Sequence, residues 1–149
     1  MQDLTKTLKE LLEDNWTLKT SRTKKAKVTF RRGEPFDLAT RFSENKISIE
    51  VCRLTNPVVK RTLNTDVNNE IVPINLWIQI KPKTEKHVQN LLDDRQTIID
   101  HVRSIIKTNQ RAITDVKLGY RRTERHLDDY ESEPPVLRTV FEIICKHLS

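Results

Sequence analysis

The chain has only two glycines, Gly33 and Gly119, two cysteines, Cys52 and Cys145, and 5% aromatic residues in 149 positions. Each scarcity excludes something. Phosphate cradles and dinucleotide fingerprints need several neighbouring positions without a Cβ, and neither a P-loop nor a G-x-G-x-x-G turn is present. Two thiols do not make a disulfide framework. Both fall in strand-like patterns, which predicts buried, reduced cysteines behaving as small hydrophobes. No apolar run approaches the roughly 18 residues of a membrane-spanning helix. Met1 to Asn15 is a charged amphipathic segment without the apolar centre of a signal peptide, so work in the cytoplasm, or in a particle assembled there, is expected.

What is present is charge. Charged residues make up 32% and hydrophobic residues 36%, a modest core under a highly charged surface, and the length fits one domain over 1–149. A net charge of +6 favours acidic partners such as nucleic acid or an acidic protein surface. Solubility is the plainer reading, since net charges of roughly 2–8 are ordinary for a small domain.

Periodicity supplies the elements. Leu4, Leu8, Leu11 and Leu12 recur at helical spacing and predict a short amphipathic helix over 3–14. A basic arm follows over 19–46. Its first fourteen residues hold seven cations and no acid (Lys19, Arg22, Lys24, Lys25, Lys27, Arg31 and Arg32), and Val28 and Phe30 suggest a short strand. Ile47, Ile49 and Val51 alternate as a strand, Val58 to Leu63 reads as another, and Asn64 to Glu70 carries turn chemistry. In the clearest strand, Ile74, Leu76, Ile78 and Ile80 face one way, with Asn75, Trp77, Gln79 and Lys81 on a wetter face. Thr84 and Glu85 can start a helix to Asn109, whose apolar stripe of Val88, Leu91, Leu92, Ile98, Ile99, Val102, Ile105 and Ile106 is broken only by Arg95. Strands over 113–122 and 136–148 close the chain around a charged loop, 121–135. The expected fold class is α+β: a mixed, mainly antiparallel sheet covered by one long helix plus the short N-terminal helix.

Site chemistry is sparse. His87 and His101 lie about four helical turns apart and cannot share a metal. His126, Asp128 and Asp129 are close in sequence, but Arg121, Arg122 and Arg125 repel a cation, so a solvated ion-pair cluster is the favoured reading. The following acids lack the glycine and terminal Glu of a calcium loop. Neither cysteine has an adjacent base, and no serine sits in a glycine-flanked elbow. No catalytic residue, metal or cofactor is therefore expected, and the chain reads as a non-enzyme. Two polar segments remain. The basic arm, through Lys24, Lys25, Lys27, Arg31 and Arg32, suits an acidic partner or phosphates, although Phe30 is the only aromatic in its first fourteen residues and base stacking usually uses several. The charged loop, through Arg121, Arg122, Arg125, His126, Asp128, Asp129 and Tyr130, suits a mixed-charge subunit interface.

The element order, together with Leu11-Leu12-Glu13-Asp14-Asn15-Trp16, Ile74-Asn75-Leu76-Trp77-Ile78-Gln79-Ile80, His101-Val102-Arg103-Ser104-Ile105-Ile106, Arg125-His126-Leu127-Asp128-Asp129-Tyr130 and Pro134-Pro135 leading into Leu137-Arg138-Thr139-Val140-Phe141, resembles the tail terminator (tail completion) proteins of tailed viruses, including archaeal ones. The resemblance spans nearly the whole chain and is one of pattern, without a diagnostic motif. It implies a virion protein of the tail and neck, assembled in the host cytoplasm. Such a protein forms a homo-oligomeric ring, generally hexameric, that caps the tail tube and meets the neck or connector, with DNA passing through. The alternative is a basic nucleic-acid-binding module acting through the arm.

Overall fold

The computed structural model describes residues 4–17, 28–32, 47–52, 69–80, 85–131 and 135–147, without the side chains of Arg122 and Thr123. Leucine spacing makes the first helix, α1 (Leu4–Asp14), one-sided: Leu4, Leu8 and Leu12 are buried while Lys6, Glu10 and Glu13 face solvent. Asn15 ends it by donating its side-chain amide to the Leu11 carbonyl at 2.8 Å, satisfying one of the last orphan acceptors. The second helix, α2 (Glu85–Thr108), buries Leu91, Ile98, Ile99, Val102, Ile105 and Ile106 along the stripe read from the sequence.

Five strands form one sheet: β1 (Val28–Arg32), β2 (Ile47–Val51), β3 (Asn69–Gln79), β4 (Val116–His126) and β5 (Val136–His147), in the order β1-β2-β3-β5-β4. Only β1 and β2 run parallel; the other neighbours are antiparallel. The chain is α+β with a mixed, mainly antiparallel sheet, as its patterning predicts. Register assigns the faces. Ile49 opposes Leu76, Val51 opposes Ile74, Ile74 opposes Phe141, and Leu118 opposes Cys145. All of these lie on one face and all are at most 1% exposed. Both helices cover that face, α1 over β1 and β2, α2 along β4. They touch through Trp16, whose ring meets Phe30 at 5.3 Å and His101 at 4.6 Å, both edge-on.

Three expectations change. Residues 121–126 are not loop: they continue β4, so of the predicted charged loop only 127–131 and Pro135 lie outside a strand among the described residues. The reason is position, because an edge strand has a single neighbour and can carry Arg121 and Arg125 outward without burying charge. Asn69 and Glu70, read as turn residues, begin β3, paired with Lys146 and Cys145. Pro73 is tolerated inside β3 because its carbonyl receives the Cys52 N–H (2.9 Å) just past the last β2 rung, so no rung there loses a donor. The predicted wetter face is also closed at its centre, where Ser48, Glu50, Asn75 and Trp77 are at most 4% exposed. The predicted strand over 58–63, and the residues Lys24, Lys25 and Lys27, lie outside the described residues.

Candidate functional site

A sheet edge is open to pairing with other chains, because an edge strand has unpaired backbone groups. The long edge here is β4, and the chain blunts it in three ways. At its start, the outward Leu118 N–H is taken by the Gln110 carbonyl at 3.0 Å. In its middle, the three β4 residues between Arg121 and Arg125 oppose a single residue of β5, a bulge that breaks the regular ladder. Beside the bulge, Glu124 is clamped from α2: its Oε1 receives Arg103 Nη2 at 2.6 Å and the Tyr120 hydroxyl at 2.8 Å, while the Arg103 guanidinium lies over the Tyr120 ring at 4.9 Å. Burial raises the Tyr120 pKa, and donation to Glu124 raises it further. For Glu124, burial pushes upward but is outweighed by the Tyr120 and Arg103 hydrogen bonds, so its carboxyl sits below the ordinary value.

Beyond β4 the chain runs on beside the start of β5 over Leu127 to Glu131. This segment is built rigidly. Leu127 N–H donates to the Arg138 carbonyl (2.8 Å), and Asp129 exchanges two backbone hydrogen bonds with Val136 (2.9 Å each). An Asp129 carboxylate oxygen accepts the Glu131 N–H at 3.0 Å. Asp128 points inward, where Oδ1 receives Arg95 Nη1 at 2.7 Å and the Arg138 N–H at 3.0 Å. Against this fixed base, Leu127 and Tyr130 are 46% and 54% exposed, the only large hydrophobic side chains so exposed among the described residues.

The structure therefore sorts the predicted interface residues. Arg125, His126, Asp129 and Tyr130 are exposed at the end of β4 and its turn. His126 Nδ1 also contacts Thr139 Oγ1 at 2.9 Å. Arg121 is exposed further back and paired with Glu142 at 3.1 Å. Asp128, read as an interface residue, is engaged within its own chain. The Arg122 backbone lies in β4. Of the predicted acidic-partner residues, Arg31 and Arg32 are neighbours on β1, Arg31 half-buried and Arg32 exposed. The sequence reading missed Arg95, Arg103 and Glu124 as the residues that hold this edge. Arg95 left a signal: it is the one charge inside the apolar stripe of α2.

The opposite sheet face carries a polar network. Arg138 lies over the Trp77 ring at 4.7 Å and donates Nε and Nη2 to Asn75 Oδ1 (3.2 and 3.1 Å), and Asn75 Nδ2 reaches Cys52 Sγ at 3.0 Å. This joins β2, β3 and β5 across the sheet. His101, beside Trp16, has its pKa lowered by burial, and its Nε2 accepts the Thr17 N–H at 3.4 Å, which fits a neutral imidazole. Among the described residues no group of three His, Cys, Asp or Glu side chains is arranged to hold a metal, and no helix is long and apolar enough to cross a membrane. No protein-family model matches the chain, and no curated protein matches it in sequence.

Proposed function

We propose that this chain is a structural virion protein: a tail terminator subunit that assembles with its own copies into a ring, caps the tail tube and joins it to the neck or connector. The observation that carries the reading is the segment after β4, which bears two exposed apolar side chains and an internal anchor at Asp128. Rigid exposed apolar groups ringed by charge suit a protein contact, because their ordering cost is met before binding. The resemblance in element order adds the tail context. With a net charge of +6, the subunit suits acidic neighbours on its outer surfaces. Sedimentation velocity and negative-stain imaging over a concentration series test it: rings of uniform size are expected, and a protein that stays monomeric at the highest attainable concentration refutes it.

A second reading, a nucleic-acid-binding module, is favoured by the net charge of +6 and by Arg32, exposed at the end of β1. It predicts affinity for DNA that falls steeply between about 50 and 200 mM salt if about six or more phosphates are neutralised. No binding at low salt removes it.

A further inference from the structure

The two ends of β4 differ in charge. Just past its end, Asp129 and Glu131 are exposed beside Leu127 and Tyr130, with the exposed Arg125 in the strand before them. Around its start, where α2 hands over to the strand, Lys107, Arg111 and Lys117 are exposed, with one acid, Asp115, among them. Lys146 joins this corner from β5. It is the direct ladder partner of Lys117, and both are exposed. Like charges directly opposite in an antiparallel pair destabilise the sheet. None of the four cations has an ion pair among the described residues. The Lys117–Lys146 pair lies on the sheet face away from α2, held at a cost that an anionic occupant would relieve, and Lys107 and Arg111 flank the connection that leads into β4. The eleven residues of β4 separate it from the acidic turn by roughly 30 Å at about 3.3 Å per residue, allowing for the bulge.

We propose that neighbouring copies join head to tail, the turn Leu127–Glu131 of one subunit seating on the Lys107, Arg111, Lys117 and Lys146 corner of the next. This rests on the ring reading and names the contact that would close the ring. The two surfaces differ and lie at opposite ends of one strand, so each copy gives one contact and receives one, the heterologous geometry that produces rings. Asp129 and Glu131 meet the ammonium groups and Arg111. Tyr130 supplies a ring face for a cation, and Leu127 excludes water beside it. Because β4 is blunted by its bulge and by the Gln110 carbonyl, side chains at its two ends carry the contact and no continuous backbone ladder forms.

A charge swap on the full chain tests it. One variant carries Lys107→Glu, Arg111→Glu and Lys117→Glu; the other carries Asp129→Lys and Glu131→Lys. All five positions are exposed, so circular dichroism is expected to show both variants folded; because Asp129→Lys also removes the acceptor of the Glu131 N–H, Glu131→Lys alone is measured beside it and is expected to weaken assembly in the same direction. Each variant alone is expected to need at least about tenfold more protein to assemble, measured by sedimentation velocity, and an equimolar mixture is expected to restore species larger than a dimer. Three results overturn the contact while leaving the ring reading intact: either variant assembling as wild type does, a mixture that stays dissociated, or restoration of a dimer only. If the corner variant loses DNA affinity but assembles normally, the patch serves a polyanion and the contact is wrong. Wild-type protein that never associates refutes the ring reading and the contact with it.

Discussion

Replacing Asp128 with alanine removes two hydrogen bonds at once, from Arg95 (2.7 Å) and from the Arg138 backbone N–H (3.0 Å). The two charged side chains are 11% and 16% exposed, so this pair stands between the fully buried and surface cases. Breaking a buried pair costs about 3–5 kcal/mol and an exposed one about 0–1 kcal/mol. A single hydrogen bond to a charged group contributes about 1.5–3 kcal/mol. Asp128→Ala therefore costs about 2–3 kcal/mol, which lowers the melting temperature of a domain this size by roughly 5–10 °C. Arg95→Leu costs less, about 1 kcal/mol, since leucine continues the apolar stripe of α2 and Asp128 keeps its bond from Arg138. A double-mutant cycle in urea should return a coupling of about 1–2 kcal/mol. Hydrogen exchange gives an independent readout, with the amides of 127–131 losing protection in Asp128→Ala while those of β3 keep theirs. An Asp128→Ala cost under about 0.5 kcal/mol, or strict additivity with Arg95→Leu, refutes the anchor argument.

Glu124 gives a pH dependence of definite sign. Its folded pKa lies below the ordinary carboxylate value, so its stabilisation is fully present above about pH 4.5 and is lost as pH falls through the lower folded value. Melting temperatures of Glu124→Gln and wild type should therefore converge on acidification, and a gap that does not narrow counts against the clamp. Leu8, at 0% exposure in the α1 contact with the sheet, should cost about 2–4 kcal/mol as Leu8→Ala, read from the urea midpoint. Burial, with the Glu70 charge nearby, pushes the Cys145 thiol up to about 12, and Cys52 is 4% exposed. Neither should react with a thiol reagent at pH 8 until urea unfolds the chain, and fast labelling of the native protein contradicts this packing.

The fold was legible where side chains repeat and illegible where position in the sheet decides. α2 and the buried rows of β3 and β5 could be read because each has a strong period: the stripe from Leu91 to Ile106, and Ile74, Leu76 and Ile78 opposite Phe141 and Leu137. The second half of β4 could not. Arg121-Arg122-Thr123-Glu124-Arg125-His126 has the composition of a loop, and only the edge position lets such residues keep strand geometry. Its bulge also interrupts the pairing between Arg121 and Arg125. The closed polar centre of the opposite face was missed for a related reason. Alternation reports which residues are polar, and says nothing of Arg138 reaching from β5 to lie over Trp77 and bind Asn75. Of the candidate site, Tyr130, Asp129 and the arginines were named from charge and loop length. Arg95 was visible as an interruption, but its partner lies 33 residues on and needed coordinates.

The placement of these ion pairs bears on how the proposed ring subunit avoids indiscriminate association. β4 is eleven residues long and lies at the edge of the sheet, the arrangement most prone to uncontrolled strand addition. Its protection uses local devices: the Gln110 carbonyl over Leu118, the bulge after Arg121, and the Arg103–Glu124–Tyr120 clamp. Those devices remove the backbone as a generic adhesive and leave the two charged ends of the strand as the features a partner can read. A partner must then match an acidic, apolar turn and a basic corner at a fixed separation, which a random strand cannot do. Disarming the clamp with Arg103→Ala should therefore increase nonspecific aggregation without increasing ordered assembly, measurable as light scattering in the absence of discrete particles. If ordered assembly rises instead, the backbone edge itself is the adhesive and the division of labour along β4 is wrong.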